Sequence, residues 1–226
     1  MGTTSYLLQR AAVNLRTRGL RDTVLITRSL LSGLVFDWRY GTDTGGRIEQ
    51  HKLAVTSANQ QHAKVYLASK AGPTSLLFRR LALPKSATFV DFGAGKGRVL
   101  LLAAQYGFAR VIGVEFAADL SRIARVNVAT FRQRTGRMTP IEIIEADATG
   151  FPITADQQVF FFFNPFAEPV MRMVMQNIEG SLTEHARPAW VIYNSPMYEQ
   201  IINRRLFPDR QHLSIQGSRF SVFTHR

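Results

Sequence analysis

Phe89-Val-Asp-Phe-Gly-Ala-Gly-Lys-Gly-Arg-Val-Leu-Leu-Leu-Ala-Ala104 is the stretch whose residue types and spacing point most directly to chemistry. An apolar run suited to a buried strand enters three alternate glycines and leaves as an apolar run of helical character. Gly93, Gly95 and Gly97 permit a sharp turn and a close backbone approach that a Cβ would block, and they aim the first N–H groups of the next helix at a ligand. A turn of this kind cradles a nucleotide-like molecule. Asp91, two residues ahead of Gly93, is placed either to order the loop or to reach a ligand's amino group. Position 98 is Arg98, so the spacing is G-x-G-x-G and the dinucleotide-binding fingerprint lacks its third glycine. The Gly-Lys-Ser/Thr of a phosphate loop is also missing. Lys96 and Arg98 fall at the helix start, where solvated side chains are expected more often than ligand-bound ones.

Three later segments share this form. Val111-Ile-Gly-Val-Glu115 is an apolar strand ending in an acid, and Ile141-Glu-Ile-Ile-Glu-Ala-Asp147-Ala148 ends in Asp-Ala. Val159-Phe-Phe-Phe-Phe163 exits into Asn164-Pro165-Phe166. Ligands of open parallel sheets lie outside the carboxyl ends of the strands, which is where these polar residues fall.

Taken in order, the four elements resemble the class I S-adenosylmethionine (SAM) dependent methyltransferases, over residues 86–226. The resemblance implies that Asp91, Gly93, Gly95 and Gly97 hold SAM and that Glu115 accepts both ribose hydroxyls. It implies further that Asp147 and the Ala148 N–H frame the adenine, that S-adenosylhomocysteine is the product, and that no metal is needed. A structural cap on the following turn is the competing account of Asp147. Asn164-Pro165-Phe166 is similar to the Asn/Asp-Pro-Pro-aromatic motif of amino-group methyltransferases, with one proline missing. It also resembles the Asn-Asn-Phe region of the non-SET histone-lysine methyltransferases. Both likenesses imply that Asn164 Oδ1 and the Pro165 carbonyl accept hydrogen bonds from the target N–H, with Phe166 stacking or lining a channel; a plain strand-exit turn is the alternative. Tyr66 aligns with an aromatic that closes over the cofactor carboxylate in lysine-directed relatives, and core packing explains it equally. Asn194-Ser195-Pro196 leaves the fifth strand at the same edge.

The regular alternation of strand and helix from residue 86 implies a parallel sheet with right-handed crossovers. Strands are expected at 88–92, 111–115, 141–146, 159–163 and 189–194, helices at 96–106, 119–134, 168–179 and 197–205, and a closing hairpin at 212–215 and 220–224. The resemblance makes this an α/β doubly wound, seven-stranded, mostly parallel sheet of order 3-2-1-4-5-7-6. Ahead of it, residues 1–50 read as a basic helical extension and loop, leaving 51–226 as the methyltransferase domain. Residues 5–36 carry Arg10, Arg16, Arg18, Arg21 and Arg28 against Asp22, a composition shared by packing helices, membrane-surface helices and organellar presequences. Asp37–Gly46 is dense in Gly, Asp and Thr and is expected to be a loop, either linker or lid. The segment is similar to one that precedes the catalytic domain in small bacterial methyltransferases. Helix is expected over 52–70, broken by Gly72-Pro73, and again over 74–83.

The 226 residues, 46% hydrophobic, suit one such domain plus its extension. Zero cysteines exclude disulfides and a thiolate nucleophile, and agree with a reducing, cytoplasmic setting. No apolar run reaches the ~20 residues of a membrane span. The histidines, at 51, 62, 185, 212 and 225, lack metal-ligand spacing. The net charge of +12 attracts polyanions or acidic surfaces, so nucleic acid, an anionic membrane face and an acidic protein are all compatible partners. The expected activity is methyl transfer to an amino nitrogen, a protein side chain ahead of nucleic acid or a small molecule. A catalytically idle basic binding module is the alternative, and Arg98 disfavours an oxidoreductase.

Overall fold

A computed structural model describes residues 19–20, 23–25, 27–28, 31–48 and 66–226. Seven strands form one sheet: β1 (Thr88–Phe92), β2 (Arg110–Glu115), β3 (Ile141–Glu145), β4 (Gln157–Phe162), β5 (Ala189–Asn194), β6 (Asp209–Ile215) and β7 (Ser218–His225). Their order is β3-β2-β1-β4-β5-β7-β6, the expected 3-2-1-4-5-7-6. Only β7 runs antiparallel to its neighbours β5 and β6. Helix α1 spans 31–40, followed by α2 (Ala71–Leu81), α3 (Arg98–Tyr106), α4 (Ala118–Thr135) and α5 (Glu168–Glu184).

The phenylalanine run explains why β4 is central. Phe160, Phe161 and Phe162 have no exposed surface, and alternation sends them to opposite faces. Phe161 meets Phe78 and Phe89 beneath α2, α3 and α4, while Phe162 stacks on Phe92 at 5.0 Å between centroids on the side covered by α5. Met171 and Met175 of α5 are buried there and Met173 is exposed. In the middle of β2, Gly113 lets α3 approach. A Cβ at that position would lie 2.6 Å from Leu100 Cδ1 and 2.9 Å from Ala94 Cβ.

Several expected boundaries are corrected. Gly72-Pro73 breaks nothing, because both residues occupy the first turn of α2, where proline's missing N–H leaves no bond unmade. Tyr66–Leu67 is extended, pairing antiparallel with Arg47–Ile48, so helix does not continue to 70; residues 52–65 of that expectation lie outside the described residues. Asp37–Tyr40 belong to α1, and the loop begins at Gly41, with φ +66°. Residues 197–205 hold one short 3-10 turn, Glu199–Ile201, because the segment must turn from β5 to β6 while burying Ile202 and Phe207. α5 runs to Glu184, five residues past its expected end, since Leu182 continues its buried stripe. Residues 1–18 of the basic extension lie outside the described residues.

Candidate functional site

The carboxyl ends of β1, β2 and β4 open onto one cavity, lined by Asp91, Gly93, Glu115, Asn164, Pro165 and Phe166 among others. Its floor is the glycine loop. Gly93 N and Ala94 N donate to Val114 O at 2.9 and 3.1 Å, which ties the loop to β2. Gly93 has φ +75°, and a Cβ on it would lie 2.4 Å from Pro165 Cβ. The first glycine is therefore required as much by the Asn-Pro-Phe turn as by any ligand, and the two motifs are built against each other. Gly97, at φ +85°, is the N-cap of α3.

Two acids sit beneath this loop. Glu115 is 3% exposed; its Oε2 accepts from Gly95 N at 2.7 Å and its Oε1 from Ala117 N at 3.0 Å. Burial raises its pKa, opposed by the N–H groups of Ala117, Gly95 and Phe116. Asp91 is equally buried, and desolvation lifts its pKa well above the ordinary carboxylate value, with the nearby charge of Glu115 adding to the rise. No side-chain cation among the described residues offsets either group. The cavity thus offers acceptors and favours a ligand that brings donors.

Lys96 and Arg98 are not solvated, contrary to expectation. Arg98 is 7% exposed: its Nε donates to Thr44 Oγ1 at 2.7 Å, its Nη1 to Ser69 O at 3.1 Å, and its Nη2 to Asp37 Oδ2 at 3.0 Å. Lys96 Nζ reaches Asp43 at 3.0 Å. Asn127 of α4 closes the assembly, its Nδ2 donating to Asp43 O and Lys96 O and its Oδ1 accepting from Asp43 N. Residues 37–46 are thereby strapped across the start of α3. Sequence reasoning missed this because the partners lie 53 and more positions apart.

The acceptor edge is built differently. Asn164 has φ +42°, and its Nδ2 donates to Ser195 O, whose residue also holds a left-handed backbone at φ +50°. Ser195 N donates to Arg219 O at 2.7 Å, so the turn after β5 is anchored to β7. Asn164 Oδ1 is buried and has no hydrogen-bond partner among the described residues. An unpaired buried acceptor costs about 1–3 kcal/mol, and non-glycine residues in this region about 1–3 kcal/mol each, which marks a constrained turn.

Asp147 and Ala148 stand apart from this cluster. Asp147 Oδ1 accepts from Thr149 N at 2.9 Å and Thr149 Oγ1 at 2.8 Å, capping a 3-10 turn that Ala148 begins, and neither residue lines the cavity. The backbone of Tyr66 lies in the short ribbon while its side chain is outside the described residues; Leu67, Ala68 and Ser69 beside it line the cavity. Among the described residues no group of three His, Asp or Glu is arranged to hold a metal. His212 Nδ1 meets Ser221 Oγ and His225 Nδ1 meets Leu206 O, both away from the cavity. An isolated glycine in an apolar strand, as at Gly113, is itself a sequence signal of close backbone approach, whereas Ser69 carries none.

Residues 51–140, less than half of the chain, match the family described as histone methylation protein DOT1. No curated protein matches the sequence. Among solved structures, the chain is similar to a methyltransferase candidate of Escherichia coli, YhhF (16% identity, TM-score 0.54, covering 80% of this chain and 99% of that one). It is also similar to a candidate O-methyltransferase of Nostoc punctiforme (17%, TM-score 0.55, 68% and 56%). A third is the ribosomal protein L11 methylase of Lactobacillus delbrueckii subsp. bulgaricus (15%, TM-score 0.52, 68% and 77%). With the observed strand order, these likenesses establish a class I methyltransferase fold.

Proposed function

We propose that this chain is a SAM-dependent methyltransferase acting on an amino nitrogen, with a protein side chain as its preferred acceptor. The observation that carries the reading is Asn164, which lines the cavity that the glycine loop and two buried carboxylates border and whose buried Oδ1 has no hydrogen-bond partner among the described residues. The residues present fit the cofactor. Asp91 suits its ammonium, the glycine loop its methionine moiety, and Glu115 its two ribose hydroxyls. When bound, SAM supplies an electrophilic sulfonium methyl for in-line displacement.

The chain's own groups then have positional tasks. Asn164 Oδ1 and the Pro165 carbonyl accept the N–H hydrogens of the incoming amine, which leaves its lone pair as the one direction free to react. Phe166 and Phe163 exclude water from the same wall. Holding the two reactants in line accounts for most of the acceleration such a reaction needs, and a dry cavity strengthens each hydrogen bond. The match to a histone methylation family supports a protein acceptor. The net charge of +12 supports an acidic one.

Two measurements test this. Calorimetry with SAM is expected to show one site per chain. Labelled methyl from SAM, added with the protein to a cell lysate, is expected to enter the protein fraction. Asn164→Gly, which keeps the left-handed backbone and deletes the amide, should abolish labelling while retaining SAM affinity. Label in nucleic acid would overturn the acceptor assignment, and absence of SAM binding would overturn the whole reading.

A further inference from the structure

Helix α1 has two faces that the rest of the molecule treats in opposite ways. On one, Phe36 is 6% exposed in the main core and Tyr40 meets Phe131 at 5.1 Å between centroids. Ser32 Oγ accepts from Gly72 N at 3.0 Å, and Gly33 lies so close to Arg98 that a Cβ would sit 2.8 Å from its Nη1. Successive helical residues turn by about 100°, so Leu31, Leu34, Val35 and Trp38 share an arc of roughly 100° directly opposite. All four are exposed, Trp38 at 82% and Val35 at 56%. Among the other described helical residues, Leu20 and Val24 are exposed too, at 69% and 47%. Soluble proteins rarely leave a contiguous apolar face of this kind without a partner.

Charge identifies the partner. Arg39 of α1 is exposed, its guanidinium 5.6 Å from the centroid of the Tyr40 ring, and Arg28, ahead of α1 in the chain, is exposed too. Residues 1–40 contain six arginines against two acids, Asp22 and Asp37, and Asp37 is taken up internally by Arg98. A second copy pairing through this face would bring like cations together. An anionic bilayer accepts both features at once, because aromatic and aliphatic side chains enter the acyl boundary while arginines meet lipid phosphates. Among the described residues no helix is long and apolar enough to cross a membrane.

We propose that α1 lies flat on an anionic lipid surface, with Leu31, Leu34, Val35 and Trp38 inserted and Arg28 and Arg39 on the headgroups. Because α1 runs into the strap that Arg98 pins to α3, docking holds the cavity at a set height over the bilayer.

The test uses the full chain with phosphatidylcholine vesicles that contain or lack phosphatidylserine. Co-sedimentation is expected only with phosphatidylserine, weakening as salt rises, together with a blue shift of tryptophan emission. Trp38→Ser should weaken binding about tenfold, the scale of one apolar anchor withdrawn, with the thermal melt unchanged. Arg28→Glu combined with Arg39→Glu should weaken it at least as much. Met138→Ser, at a residue 84% exposed elsewhere, should have no effect. Absence of vesicle binding, or binding indifferent to Trp38→Ser, overturns the proposal. So does a concentration-dependent dimer that Trp38→Ser disrupts, which would assign the face to a second copy.

Discussion

The start of α3 and the exit of β4 border the same cavity but handle polar groups in opposite ways. At α3, Lys96, Arg98, Asn127 and Glu115 are each bonded to named partners within the chain. At the β4 exit, Asn164 and Ser195 hold left-handed backbones without being glycine, and a buried acceptor has no partner among the described residues. The first region spends its polar groups on its own rigidity, and the second keeps one in reserve. Positive φ falls on glycine where only geometry is needed and on Asn and Ser where a side chain is retained at the turn.

The contrast can be broken by mutation. Arg98→Leu should have the largest effect on stability, about 3–5 kcal/mol by denaturant melts, because it strands the Asp37 carboxylate that Arg98 neutralises. A loss under ~1 kcal/mol would mean that the strap is not structural. Asn164→Gly should lower kcat about 10²–10³-fold, the scale of one lost positioning hydrogen bond in a reacting site, while moving stability little. Glu115→Ala should weaken SAM binding by ~1–3 kcal/mol in calorimetry, and unchanged affinity would remove Glu115 from the site. Lys96→Ala should cost no more than ~1 kcal/mol despite its adjacency to Arg98, since its partner Asp43 is 75% exposed. Equal effects at 96 and 98 would erase the distinction between a buried and a half-solvated pair.

Asp91 sharpens the same comparison through pH. Its folded pKa is raised, so the folded state retains a proton that the unfolded chain releases above the ordinary carboxylate pKa. Its contribution to stability is therefore present at low pH and lost as pH climbs from that ordinary value to the raised one. A ligand bearing an ammonium favours the ionised carboxylate, so SAM binding should release protons and tighten across this window. Calorimetry in buffers of different ionisation enthalpy measures the release, and Asp91→Asn should abolish it.

Much of the scaffold was legible because strands and helices carry local periodicity. The strands of the large sheet were expected to within two residues except β6, which starts at Asp209, three residues before the expected 212, because its first half, Asp-Arg-Gln-His, is exposed and carries no apolar run to mark it. The expected helix at 197–205 failed because burial of Ile202 and Phe207 overrode local propensity. Tyr66 failed as helix because it pairs with Ile48, and Leu67 with Arg47, a contact that local pattern does not show.

The sequence by itself determined the alternation of strand and helix, the glycine turn and the polar residues at the strand ends, which follow from short-range pattern, while the sheet order was implied by the resemblance that those motifs carry. Tertiary structure alone decided that Arg98 binds Asp37 and not solvent, that Gly93 must make room for Pro165, that Asp147 caps a turn, and that Asn164 Oδ1 is buried without a partner among the described residues. Those outcomes depend on which atoms meet after packing. A side chain's type states what it can bond, and only the fold states what lies within 3 Å of it.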